Sequence, residues 1–204
     1  MDTPITITAL RGADLLPVLD DIARLRMRVF YEWPYLYQGD LDYERRYLAT
    51  YAATPDAICV LAQAAGKVVG ASTGLPLLDN ESAFVQPFLE SAIDPAQVFY
   101  FGESVVLTDY RGRGIGHVFF NKREQHACAV GNFHITAFCS VDRADNDPRR
   151  PADYRSNHAF WHKRGYQHQP TMKMQLNWEE IDRGDMNHTL SFWTRPLDIK
   201  LSTF

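Results

Sequence analysis

Hydrophobic and polar positions change period several times along the chain, and each change marks an element. Residues 3–9 (TPITITA) alternate and are β-branched, which predicts a strand that turns at Arg11-Gly12. From Leu15 the apolar positions Leu15, Val18, Leu19, Ile22, Leu25 and Val29 recur at three and four, the spacing of one helical face. Asp14 can cap that helix, Pro17 fits its first turn, and it ends near Tyr31. Gly39 and Asp40 mark a turn before a second helix that runs to about Ala53. Residues 57–65 and 67–75, divided at Gly66, read as a hairpin, while Pro87 and Pro95 restrict 79–97 to one or two short helices. Val98 to Leu107 is an apolar, aromatic-rich run, the pattern of a strand buried on both faces. A helix with the apolar face Val118, Phe119, Ala127 and Val130 follows and stops at Gly131-Asn132, and Phe133 to Val141 is the next strand. After a long charged loop and a short helix within 154–166, residues 171–178 and 189–197 alternate as two closing strands, with Trp178, Phe192 and Trp193 in the core and an acidic connection between them. These elements compose a mixed α/β protein.

Between the central strand and its helix lies Arg111-Gly112-Arg113-Gly114-Ile115-Gly116. Three glycines in five positions clear side chains from the backbone, and the first-turn amides of the helix have no intrahelical acceptor. Strand, glycine turn and helix together make an anion site. A P-loop fits poorly because His117 and Val118, not Lys and Ser or Thr, follow Gly116. A dinucleotide fingerprint fits poorly, since its third glycine falls at His117 and its acidic residue falls in the apolar run 135–138.

The stretch VLTDYRGRGIG resembles the acyl-CoA loop of the GNAT superfamily of N-acyltransferases, (R/Q)-x-x-G-x-(G/A), with Arg111, Gly114 and Gly116 in the pattern. The resemblance implies the GNAT fold across a single domain, residues 1–204. That fold is a mixed, mostly antiparallel central sheet of about seven strands, with helices on both faces and a splay at the central strand. It implies acetyl-CoA as acyl donor. Backbone amides of Arg113 through Gly116 would hold the pyrophosphate, in a loop that also includes Arg111 and Gly112, and Val105, Val106 and Leu107 would pair with the pantetheine arm. The family's helix-opening Asn falls at Tyr154 here, which leaves Asn157, three residues on, as the asparagine for that CoA contact. The segment between the first two helices commonly lines the acceptor site in this family, so Tyr31, Trp33, Tyr35 and Tyr37 are expected to bind the acceptor. Aromatic faces beside Glu32, Asp40 and Asp42 favour a cation.

Amine acetylation needs positioning, a polarised carbonyl and a base. Glu103, a lone carboxylate in an apolar strand, is the base candidate, directly or through a water; the alternative is a structural carboxylate bonded to nearby backbone. In the resemblance Trp161 occupies the place of the family's thiolate-protonating tyrosine, and indole is no general acid. That role passes to Tyr154, Tyr166, another tyrosine or solvent. Arg143, Arg149, Arg150 and Arg155 can reach the 3′-phosphate of CoA or close over the site; the alternative is a solvated charged loop. His158 and His162 share a helix face but have no third ligand, so no metal is expected. The expected reaction moves an acetyl group from acetyl-CoA to a primary amine of a small molecule or peptide by direct attack in a ternary complex. The alternative is a non-catalytic acyl-CoA-binding or sensing module of the same fold.

Composition narrows the setting. With 204 residues and 46% apolar content, the chain can bury one substantial core. Its 21 basic and 25 acidic residues give a net charge of −4, no field for nucleic acid. Cys59, Cys128 and Cys139 lack metal-ligand spacing and are odd in number, which fits a reducing compartment. No apolar run approaches a membrane span and the start lacks a signal-peptide pattern, so a cytoplasmic location without membrane contact is expected. A homodimer is compatible with the sequence.

Overall fold

A computed structural model of the chain describes residues 3–197. Seven strands form one sheet in the order β1-β2-β3-β4-β5-β7-β6. They are β1 (Ile5–Leu10), β2 (Ile58–Ala64), β3 (Lys67–Pro76), β4 (Val98–Val106), β5 (Ile135–Val141), β6 (Gln167–Glu180) and β7 (Gly184–Pro196). The helices are α1 (Leu19–Phe30), α2 (Leu41–Ala53), α3 (Ser82–Leu89), α4 (Ile115–Val130) and α5 (His158–Lys163). Every pairing is antiparallel except β4 with β5.

Strand alternation separates two cores. On β2, Cys59 and Leu61 join Ile22, Leu25, Leu48 and Phe88 under α1, α2 and α3. Val60 and Ala62 join Phe119 and Phe120 under α4. The hairpin β2–β3 closes through Ala65 and Gly66, both at positive φ, as two-residue turns between twisted strands require. Asp40 caps α2, its Oδ1 accepting from the Tyr43 amide at 2.7 Å. The first helix starts later than its apolar spacing suggests: Gly12–Val18 is a 3₁₀ segment containing Pro17, whose ring disfavours the α conformation before it. Gly131 ends α4 in extended backbone, and a side chain there would strike the Phe133 ring.

Two departures from simple alternation shape the site. Phe99 and Phe101 of β4 face α4 while Tyr100 faces α1 and α2, yet Val105 joins the Tyr100 side. The parity flips because the β3–β4 register shifts between Ser72 and Gly74, leaving Gly102 and Glu103 together opposite Thr73. Such a bulge re-aims one side chain, here Glu103. Secondly, the acidic connection expected between the last strands is instead the far end of a long hairpin, turning at Ile181–Arg183. It extends because Glu180 is buried as an ionic hub. Its carboxylate pairs with Arg143 at 2.7 Å, with Arg149, and with Arg183 at 3.7 Å. Arg143 also donates to the carbonyls of Pro34 at 2.7 Å and Tyr35 at 2.9 Å, so the hub pins the α1–α2 connection to β6.

Burial alone would raise the Glu180 carboxyl, but hydrogen bonds from Arg149 and Arg143 outweigh it and hold it below its ordinary value. The hub therefore stabilises the fold above the ordinary carboxylate range and is lost as pH falls through the lowered value. Glu180→Gln is expected to cost about 3 kcal/mol, a fall in Tm on the order of 10 °C at neutral pH. The difference from wild type should shrink on acidification, as read by melting curves across pH.

Candidate active site

The central glycine turn has the conformation its composition requires. Gly112 and Gly114 have φ of 77° and 80°, the left-handed region, and a Cβ at either would meet nothing within 4 Å. Their glycine identity thus answers to backbone conformation and leaves open space beside the chain. The first amides with a helical acceptor are those of His117 and Val118, both on Gly114 O, so the turn before them presents its donors at the positive end of α4. Arg111 ties the loop down: Nε donates to Val106 O at 3.0 Å and Nη2 pairs with Glu32 at 2.8 Å. Arg113 lies over the Tyr110 ring.

Beside the loop the sheet opens. β4 and β5 pair only from Val98–Tyr100 to Ile135–Ala137 and then part, so Phe101 to Val106 runs along a gap. Val105 is buried, Val106 and Leu107 half-buried, and Leu107 N is bonded to Val69 O at 2.9 Å on the other side. On the α1–α2 side of the gap lies a cavity of about 340 Å³, walled by Phe30, Tyr35, Tyr37, Tyr100 and Trp178.

The cavity floor is ionic. Arg26 donates through Nε to Glu44 and through Nη1 to Glu103 Oε2 at 2.5 Å. All three side chains are buried. Burial works against the Arg26 charge, but Glu103, Tyr47 and Glu44 outweigh it and hold the guanidinium above its ordinary value. Tyr47 donates to Glu103 Oε2 at 3.2 Å and meets the Tyr51 hydroxyl at 2.9 Å. From the opposite face Arg123, buried on α4, donates to the bulge carbonyls of Thr73 and Glu103 at 3.1 and 3.2 Å. Desolvation lowers Arg123 to about 10 against the pull of Tyr166, Glu103 and Glu124. Glu103 is thus not the lone carboxylate its strand suggested. One of its oxygens serves Arg26 and Tyr47; the other, Oε1, is buried and has no partner, as is Glu44 Oε1.

A family model described as the acetyltransferase (GNAT) family matches residues 20–166. The chain belongs to this family. The fold agrees: a putative acetyltransferase from Acinetobacter baylyi superposes with a TM-score of 0.62 at 14% identity, covering 100% of this chain and 99% of that one. A GNAT-family acetyltransferase from Streptococcus pneumoniae gives 0.59 at 11% identity, over 96% of this chain and 100% of its own. A putative acetyltransferase from Salmonella typhimurium, solved with acetyl-CoA, gives 0.53 at 13%, over 95% and 94%. No curated protein sequence is significantly similar to the chain.

Within the GNAT frame the expected acceptor and acid residues scatter. Tyr35 and Tyr37 line the cavity, whereas Trp33 stands edge-on to Tyr154 at 6.2 Å and Tyr31, 55% exposed, borders a shallow surface depression with Met27 and Leu41. Burial, then Cys139, raises Tyr35, with Arg26 opposing and Tyr154 and Glu103 adding. Burial also raises Tyr154, against Arg150. Tyr166 lies on the α4 side, its hydroxyl 2.8 Å from Thr136 Oγ1 and donating to Glu124 at 3.4 Å. Asn157 is the exposed residue before α5 and makes no side-chain cap bond. Of the loop arginines, Arg143 and Arg149 serve Glu180 and Arg150 pairs with Asp145 at 2.6 Å. Trp161 packs on Phe138 and Trp193. Among the described residues, no helix is long and apolar enough to cross a membrane, and no cluster of three or more His, Cys, Asp or Glu is placed to hold a metal.

The glycine turn yields a direct check. Gly114→Ala forces a left-handed alanine at a cost of about 1 kcal/mol, a Tm loss of roughly 2–4 °C. The rise in Tm produced by acetyl-CoA should also shrink, because the methyl group occupies the open side of the loop; an undiminished rise would place the ligand elsewhere.

Proposed function

We propose that this GNAT protein transfers the acetyl group of acetyl-CoA to a primary amine by direct attack within a ternary complex. The observation that carries this reading is the juxtaposition of the opened β4–β5 gap, beside the glycine turn, with a buried carboxylate, Glu103, that lines the cavity and whose Oε1 has no hydrogen-bond partner. Acetyl-CoA supplies the activated acyl group. The loop of Arg111, Gly112, Arg113, Gly114, Ile115 and Gly116 would hold its pyrophosphate, and the edge of Val105, Val106 and Leu107 its pantetheine arm; the two left-handed glycines leave room for such a ligand.

On the protein side, Glu103 Oε1 takes the proton of the incoming ammonium, directly or through a water, while Arg26 and Tyr47 hold the other oxygen and fix the carboxylate rotamer. Tyr35 and Tyr37 wall the acceptor. Cys139 is the alternative nucleophile in the cavity, and burial counts against it: it pushes the thiol up to about 12, outweighing the Tyr100 hydroxyl, which stands 3.0 Å from the sulfur and pulls the other way. For the departing thiolate, Tyr154 is favoured over Tyr166, because it is close enough to Tyr35 of the cavity wall to act on it electrostatically while the Tyr166 hydroxyl is already engaged with Thr136 on the α4 side.

Glu103→Gln should keep the acetyl-CoA-induced rise in Tm and lose about 100-fold in kcat, read by thiol release; unchanged turnover would remove Glu103 from the role. The two tyrosines separate by readout. Tyr154→Phe should lower kcat with little change in Tm, and Tyr166→Phe should lower stability by about 1 kcal/mol through its lost buried hydrogen bonds.

A further inference from the structure

From the cavity floor we infer that the acceptor is a short aliphatic diamine, bound at one ammonium by Glu44 and presented at the other to Glu103. This inference rests on the transfer reading above and names its substrate class.

Two carboxylates share one cation. Arg26 neutralises a single charge, and it does so through one oxygen of each acid, leaving Glu44 Oε1 and Glu103 Oε1 buried and unpartnered. Glu44 is fully buried and Glu103 is 5% exposed. Leaving two carboxylate oxygens dry and unpaired is costly unless a donor arrives, so the arrangement is that of a site prepared for one. Tyr37 is raised first by burial and then by Glu44, through its charge and through a side-chain hydrogen bond, so the Tyr37 hydroxyl stands beside this acid, while Glu44 Oε1 itself has no partner within the full distance and angle limits of a hydrogen bond. Further acids, Asp40, Glu81 and Glu179, line the same cavity, and among the described residues that line it Arg26 is the one Lys or Arg. A ligand bearing a carboxylate would meet this field without a free cation to pair with.

The geometry gives the two acids different tasks. Glu103 sits on β4 at the gap, where the acyl group would stand, and Glu44 sits on α2 behind Arg26. Neighbouring nitrogens of one guanidinium, Nε and Nη1, hold the two acids. The wall between is aromatic and aliphatic, with Phe30, Tyr47 and Leu176 suited to a methylene chain and to ammonium heads over ring faces. A monoamine would satisfy only one of the orphan oxygens.

The test is thiol release from acetyl-CoA with wild-type protein and 1,4-diaminobutane, butylamine and ornithine. The diamine should exceed butylamine in kcat/KM by about tenfold or more, the worth of one charged hydrogen bond, and should also exceed ornithine, whose carboxylate has no partner. Glu44→Gln should narrow the ratio of diamine to butylamine to within about threefold, with the acetyl-CoA-induced rise in Tm showing that the variant is folded. Equal or better use of butylamine or ornithine overturns the diamine inference while leaving acetyl transfer standing. If no amine is acetylated although acetyl-CoA raises Tm, calorimetric titration of each amine into CoA-saturated protein decides. Selective binding of 1,4-diaminobutane then upholds the acceptor class and fails the transfer reading; no selective binding overturns the inference as well.

Discussion

A single extra residue in β4 is the constraint on which the site depends. Without the bulge at Gly102 and Glu103, strand alternation would send Glu103 towards α4 with Phe99 and Phe101. With it, the carboxylate turns to Arg26 and the cavity. The bulge is held from both faces: Arg123 takes its carbonyls from the α4 side, and Thr73 Oγ1 accepts from the Glu103 amide at 3.4 Å. Gly102 is glycine because a side chain there would fall on the Tyr51 hydroxyl. The same strand parts from β5 just before the bulge, so the opening in the sheet and the redirected acid arise at one point in the chain.

Charge is arranged around that point with little slack. Arg26 bridges α1 to α2 and β4, and the Glu180 hub fixes the α1–α2 connection to β6, where Trp178 Nε1 donates to Tyr35 O at 3.2 Å. Buried ionic groups of this kind contribute little net stability relative to apolar packing, but removing one partner is expensive. Their consequence here is positional: they set the walls of a cavity that an apolar core would have filled.

Much of the fold was legible from spacing. The hairpin at Gly66, the Asp40 cap and the glycine turn follow from local patterns whose physical demands are met in place, whereas the parting of the central strands was implied only by the family resemblance. The ionic floor was less visible because hydrophobic periodicity treats a charged residue as surface. A signal existed nonetheless. Arg26 lies four residues after Ile22, Glu44 four before Leu48, and Arg123 midway between Phe119 and Ala127, so each interrupts the buried stripe of its helix. Charges in core-facing positions on two adjacent helices imply a buried pair. The bulge had one clue, an isolated glycine inside a strand, and no pattern of the sequence fixes which residue it displaces. Glu180 looked like part of a solvated acidic turn because its two closest arginine partners, Arg143 and Arg149, come from the distant loop that follows β5.

The most direct test of the account is a velocity matrix in which acetyl-CoA and the preferred amine are varied together. Attack across the β4–β5 gap by an amine seated on Glu103 requires both substrates on the protein at once, so double-reciprocal lines should intersect. Parallel lines would mean that the acetyl group first moves to a protein side chain such as Cys139, and would contradict direct transfer.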